Sequence, residues 1–118
     1  MRFEHYQWCI FQANLDPVVG SEQRGTRPVL VVSDEDFNKL MPVVTVLPLT
    51  SRKPGRHIYP NEFLLPKGSA GLTEVSIVMA HQIRTISKAR LTDLYGEIKG
   101  ESLRESVRQV LKIHLTLD

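Results

Sequence analysis

The stretch GSEQRGTRPVLVVS, residues 20–33, sets a polar, charged segment directly against a run of apolar residues. Two glycines, the carboxylate of Glu22 and the guanidinium groups of Arg24 and Arg27 stand at the mouth of what reads as a buried strand. A second stretch, VVTVLPLTSRKPGR, ends its apolar run on Thr50 and Ser51 and turns into Arg52, Lys53 and Arg56. A third, HQIRTISKAR, carries His81, Gln82, Arg84, Lys88 and Arg90. Guanidinium groups, hydroxyls and amides at strand ends are hydrogen-bond donors on fixed platforms, which is the chemistry of holding an anion. Three cationic groups beside three strand ends could converge into one basic patch. A solvated rim fits the same charges, and charge alone does not separate the two.

The rest of the composition narrows the class. The chain has 118 residues, enough for one domain (1–118) with a core of its own. Apolar residues make up 42% and charged residues 24%, the balance of a soluble globular chain. The formal net charge of +2 is mild and does not mark a protein that coats nucleic acid. No apolar run is long enough to span a bilayer, and the first residues lack a clean apolar signal core, so a cytoplasmic chain without membrane contact is expected. The single cysteine, Cys9, excludes an internal disulfide. No Cys/His spacing points to zinc, and neither a metal nor another cofactor is expected.

The elements that must position these residues follow from periodicity. Residues 6–15 read as a strand with apolar side chains on both parities, hence buried on both faces. A long loop runs from Asp16-Pro17 to Arg27. Residues 28–33 read as a short buried strand, and Asp34 to Leu40 as a helical turn capped by Ser33 or Asp34. Residues 42–50 form a third strand, in which Pro48 suggests an edge or a bulge. Residues 57–66 read as a strand interrupted by Pro60. Residues 75–86 alternate continuously, with Ile77, Met79, His81 and Ile83 on one parity and Gln82 and Arg84 on the other. Ser87 to Leu91 reads as a turn and 94–98 as a short strand. The last helix has Ser102 and Glu105 at capping-box spacing and an apolar stripe of Leu103, Val107, Val110, Leu111 and Leu115. Five or six short strands and a terminal amphipathic helix give an α+β class, a small antiparallel barrel-like sheet with a helix packed on it.

These residues carry a resemblance. LDPVVGSEQRGTRPVLVVS (15–33), VVTVLPLTS (43–51), AGL with HQIRTISKARL (70–91) and the terminal helix resemble, in order, the MazF/PemK toxins of bacterial toxin–antitoxin systems. The resemblance implies an SH3-like barrel of the MazF/CcdB kind with short added helices, forming a homodimer. It implies a sequence-specific endoribonuclease, an mRNA interferase, that cuts single-stranded RNA without a metal and is neutralised by a cognate antitoxin. In such a cleavage the substrate's own 2′-OH attacks the adjacent phosphorus, which only RNA allows. Arg27 matches the family's catalytic arginine, able to grip two phosphate oxygens at once. Thr50 matches its catalytic threonine, whose hydroxyl can donate to the developing oxyanion. Taken singly, Arg27 fits a rim arginine paired with Asp16 or Glu22, and Thr50 an ordinary strand residue; the matched motifs favour the catalytic roles.

Around this pair, Ser21, Glu22 and Gln23 correspond to the loop lining the RNA groove, and Glu22 fits both base readout and loop ordering. Ser51, Arg52, Gln82 and Arg84 are expected to face RNA, and Lys53 and Arg56 to add phosphate contacts. Arg24 matches no role. Tyr59 is the aromatic residue best placed for base stacking. Three places depart from the family pattern, one of them Val75, with Glu74 beside it, where members often have Asp before the serine of the third block. Members commonly open the first strand with a basic-Gly-acidic triplet, where this chain has Gln7-Trp8-Cys9. His81 stands where an acidic residue is frequent; its parity favours a buried, hydrogen-bonded histidine, and an RNA contact is the other reading. Other classes remain in view: a non-enzymatic toxin like the CcdB proteins that bind DNA gyrase, and a catalytically inactive member that binds RNA or protein.

Overall fold

The computed structural model describes residues 3–118. Seven strands form one strongly curved sheet: β1 (Cys9–Asn14), β2 (Thr26–Val31), β3 (Val43–Ser51), β4 (Glu62–Leu65), β5 (Ser76–Met79), β6 (Arg84–Ser87) and β7 (Leu91–Glu97). The hydrogen-bonded order is β4-β5-β3-β2-β1-β7, with β6 also paired to β3, and every pairing is antiparallel. Two helices complete the fold, α1 (Glu35–Leu40) and α2 (Glu101–Leu115), with 3-10 turns at Ser69–Gly71, Ala80–Gln82 and Lys88–Arg90. The α+β class holds, and the expected barrel is open: no ladder joins β4 to β7. The seam is instead crossed by backbone contact. A Cβ on Gly71 would sit 2.2 Å from the Tyr95 carbonyl oxygen, and one on Gly96 would sit 2.6 Å from the Ala70 carbonyl. Only glycine lets the two chain segments approach this closely.

The central strands are buried on both faces, as their apolar parities require. Phe11, Val29, Val31 and Val46 belong to one cluster, and Ile10, Leu30, Leu47 and Leu49 to the other. Helix α2 covers the second cluster with Val107, flanked by Leu103 and Leu111. The expected capping box is not formed. The helix begins at Glu101 after Gly100, so Ser102 already lies inside the first turn, and Glu105 instead binds Arg108 and Gln109. Asp34 does cap α1, accepting from the N–H groups of Asp36 and Phe37.

Pro48 is neither at an edge nor in a bulge. It is buried in β3 and pairs with Val29 of β2. The Thr45 carbonyl accepts from the N–H of Val32 on the β2 side, so by alternation the nitrogen of Pro48 faces the opposite edge. Along that edge of β3 the pairing with β6 stops at Val46 and the pairing with β5 starts at Leu49. The missing N–H therefore falls where the ladder is already interrupted. The interruption is also where the expected single strand 75–86 divides: residues 80–82 form a 3-10 turn, and Ile83 caps it with its N–H on the Ala80 carbonyl.

Candidate active site and nucleic-acid interface

Arg27 lies on β2, opposite Ala13 of β1. On the other side β2 meets β3 with Val29 opposite Pro48 and Leu30 opposite Leu47. Carrying that register two residues further sets Arg27 beside Thr50. The placement agrees with the guanidinium, whose Nη1 donates to the Leu49 carbonyl at 3.4 Å and whose Nε donates to the Arg24 carbonyl at 2.9 Å. Two of the five guanidinium N–H groups are thus fixed by backbone and three are left. Arg27 makes no ion pair among the described residues, so the rim pairing with Asp16 or Glu22 does not occur. Thr50 is half-buried between Arg27 and Ile77, and its hydroxyl makes no hydrogen bond among the described residues. A fixed cation with free donors beside a free hydroxyl is an anion cradle at the edge of a rigid sheet.

The loop between β1 and β2 is held over this edge by groups the sequence assigned to RNA. Gln82 accepts from the Gln23 N–H at 3.1 Å and donates to the Ser21 carbonyl at 3.4 Å. Arg84 donates to the Leu15 carbonyl, and Arg90 to those of Asn14 and Asp16. Glu22 accepts from the Val19 N–H at 2.6 Å through Oε1, leaving Oε2 unbonded, so its loop-ordering role is present. Ser21 is exposed. Arg24 holds the loop through the Gly20 carbonyl, and its own carbonyl orients Arg27. That role went unforeseen because a backbone oxygen carries no residue-type signal. Beyond Thr50, Ser51 donates to Glu74 at 3.0 Å, while the side chains of Arg52 and Lys53 are exposed and unbonded among the described residues. The structure thus gathers Arg27, Thr50, Ser51, Arg52 and the 20–25 loop, with Gln82 and Arg84 as its tethers.

His81 and Arg56 turn to a partner the sequence reading did not single out, Glu62. The Glu62 side chain is fully buried. It accepts from Arg56 at 2.9 and 2.7 Å, from the Tyr59 N–H at 3.0 Å, and lies 2.7 Å from His81 Nε2. Burial pushes its carboxyl up, but the hydrogen bonds from Arg56, His81 and Tyr59 outweigh burial and hold it at about 2. His81 is hydrogen-bonded as expected but half-buried rather than buried, since its strand parity is broken by the 3-10 turn, and the free phosphate contact expected of Arg56 is absent. The available signal was a lone carboxylate inside the apolar run of NEFLL. Tyr59 stays 54% exposed beside this cluster, its ring already met by the Arg56 guanidinium at 5.8 Å and edge-on by His57 at 4.7 Å.

The departure at the first strand has a structural meaning. Trp8 has φ 67°, the left-handed conformation that favours glycine. Its ring lies 5.2 and 5.3 Å from the guanidinium carbons of Arg104 and Arg108, so α2 holds it in place. This entry is packed under the helix and presents no free edge.

Together these features define a small antiparallel α+β domain whose open-seamed sheet presents Arg27 and Thr50 beside a tethered loop. The chain matches, over residues 6–115, the family described as PemK-like, MazF-like toxin of type II toxin–antitoxin system, and it belongs to that family. The endoribonuclease EndoA of Bacillus subtilis is 35% identical over 108 residues, covering 92% of this chain and 91% of that protein. A MazE–MazF structure from Deinococcus radiodurans superposes with a TM-score of 0.70 at 29% identity, covering 96% of each chain. An endoribonuclease solved with its cognate antitoxin from a mycobacterial species shares the fold, with a TM-score of 0.77 at 23% identity over 96% of each chain.

Proposed function

We propose that this toxin-family domain is a sequence-specific endoribonuclease that cuts single-stranded RNA, mRNA foremost, without a metal. The observation that carries the reading is the Arg27–Thr50 pair: a rigid guanidinium with unbonded N–H groups next to an unbonded hydroxyl. In the reaction the 2′-oxygen bonds to phosphorus, the bond from phosphorus to the 5′-oxygen breaks, the 2′-OH proton leaves to a base, and the departing 5′-oxygen takes up a proton from solvent. Arg27 grips the non-bridging oxygens and Thr50 donates to the charge that builds on them. His81 has Nε2 engaged by Glu62, which disfavours it as that base, whereas Glu22 keeps Oε2 unbonded. Arg52 and Lys53 add salt-dependent affinity for the flanking phosphates.

The proposal extends to assembly. Exposed apolar side chains on α1 (Phe37, Leu40) and at the end of α2 (Ile113, Leu115) fit a homodimer or a partner chain. The MazE–MazF and antitoxin-bound relatives support neutralisation by a cognate antitoxin across the cradle. The decisive experiment incubates the protein with mixed-sequence RNA in EDTA and sequences the fragment ends. Cleavage is expected at one short motif, leaving a 2′,3′-cyclic phosphate and a 5′-hydroxyl, and is expected to vanish when the 2′-OH at the cut is replaced by hydrogen. Persistent cleavage of that deoxy substrate would overturn the mechanism.

A further inference from the structure

Three donor atoms of different chemistry meet where β1 begins and β7 ends. A ring nitrogen of His5, the Sγ of Cys9 and a carboxylate oxygen of Glu97 all lie within 4.8 Å of one another. The same three residues line one open cleft of about 490 Å³. Cys9 is 3% exposed and has no second cysteine to pair with. Its thiol is pushed up to about 11 by burial and then by the charges of Glu97 and Glu35. Glu97 and Glu35 set two carboxylates near the thiol, and Arg104 and Lys99 are the cations of the same neighbourhood.

The outer contacts point the same way. Glu35 Oε2 lies 3.3 Å from His5 Nδ1, a carboxylate placed to fix the orientation of the ring. A carboxylate behind the imidazole is the usual support of a ligating histidine. Glu35 is itself fixed by the N–H groups of Tyr6 and Gln7 and by Asn38. Glu97 is held through Oε2 by Arg104 at 2.8 Å, and its Oε1 makes no such bond.

We propose that His5, Cys9 and Glu97 form a site for Zn²⁺, with the cleft leaving a fourth position for water. A thiolate, an imidazole and a carboxylate suit zinc and select against the hard cations magnesium and calcium. On binding, the ion forms a bond to Sγ and the thiol proton leaves to solvent, with no change of oxidation state. Ligand atoms around tetrahedral zinc lie roughly 3.3–3.8 Å apart. The exposed His5 therefore closes on Cys9 and Glu97 by about 1 Å, and the ion staples the N-terminal segment to the end of β7. The site stands at the far end of β1 from Ala13, the residue opposite Arg27. It is thus separate from the RNA cradle and does not depend on the nuclease reading.

The test titrates untagged, chelator-stripped protein with Co²⁺ and then Zn²⁺. One equivalent of Co²⁺ is expected to give a near-ultraviolet thiolate-to-cobalt band that Zn²⁺ bleaches. Zn²⁺ is expected to raise Tm by about 5 °C, reversed by EDTA. Cys9→Ser should remove the band, and His5→Ala and Glu97→Gln should weaken Co²⁺ binding at least about tenfold. His5 is exposed, so His5→Ala decides the matter even where Cys9→Ser folds poorly. Absence of the band in the unaltered protein, or undiminished Co²⁺ affinity in His5→Ala, would overturn the site.

Discussion

The Arg27–Thr50 edge and the Arg56–Glu62–His81 cluster use the same kinds of groups to opposite ends. In the cluster each charge has a partner: Glu62 receives two guanidinium bonds, an imidazole and a backbone N–H, and its side chain is fully buried. At the edge, Arg27 donates only to carbonyl oxygens and the Thr50 hydroxyl makes no hydrogen bond among the described residues. An arginine already satisfied by a carboxylate holds a fold together. One fixed by neutral acceptors keeps its charge for an incoming anion. Residue type does not separate these roles; the number and charge of the partners does.

The contrast breaks most sharply at Arg27. Arg27→Ala is expected to lower the cleavage rate by about 10³-fold, roughly 4 kcal/mol of transition-state stabilisation. Its cost in stability should stay within ~1 kcal/mol, because the side chain replaces no charged partner. Single-turnover cleavage beside a denaturant titration measures both, and a large stability loss with intact cleavage would reverse the two roles.

Glu62 should show the opposite pattern. Its folded carboxyl lies at about 2 against an ordinary 4.5. A lowered folded value stabilises the protein above the ordinary value, and that contribution is lost as pH falls from about 4.5 towards 2. The magnitude is about 3 kcal/mol. The difference in unfolding free energy between the unaltered protein and Glu62→Gln, followed from pH 6 (a solution setting of about that value) downward, is therefore expected to shrink across this window. A difference that stays constant would show that the carboxylate is not held by its charged partners.

The smallest effect tests the tether between the regions. Gln82→Ala removes both bonds to the 20–25 loop. A loss of about tenfold in cleavage is expected, with about 1 kcal/mol or less in stability. An unchanged rate would mean the loop needs no such hold to serve the cradle.

Much of this arrangement was legible in the sequence because it is local. The strand through PVLV, the Asp34 cap and the stripe of α2 as far as Leu111 each follow from neighbouring residues, whereas Leu115 is exposed; the motifs drew attention to Arg27 and Thr50. The division of 75–86 was not legible. Alternation continues through its 3-10 turn without a Gly or Pro to mark it, and only the partner strand β3 shows where pairing changes from β5 to β6. Glu62 was missed for a related reason: its partners come from a basic turn and from that same hidden break. The tethering by Gln82 and Arg84 depends on contacts across some sixty residues of chain. The cluster of His5, Cys9 and Glu97 joins opposite ends of the sequence, beyond any linear ligand spacing.

The seam at Gly71 and Gly96 gives the sheet the mechanics of a split hoop. Elsewhere the ring is riveted by ladders that resist sliding. Here its lips abut through backbone where side chains are absent, and no rung joins them. An exposed strand lip is ordinarily an invitation to a stray chain. In this molecule that lip is guarded by clearance too small for anything larger than a hydrogen atom at Gly71 and Gly96.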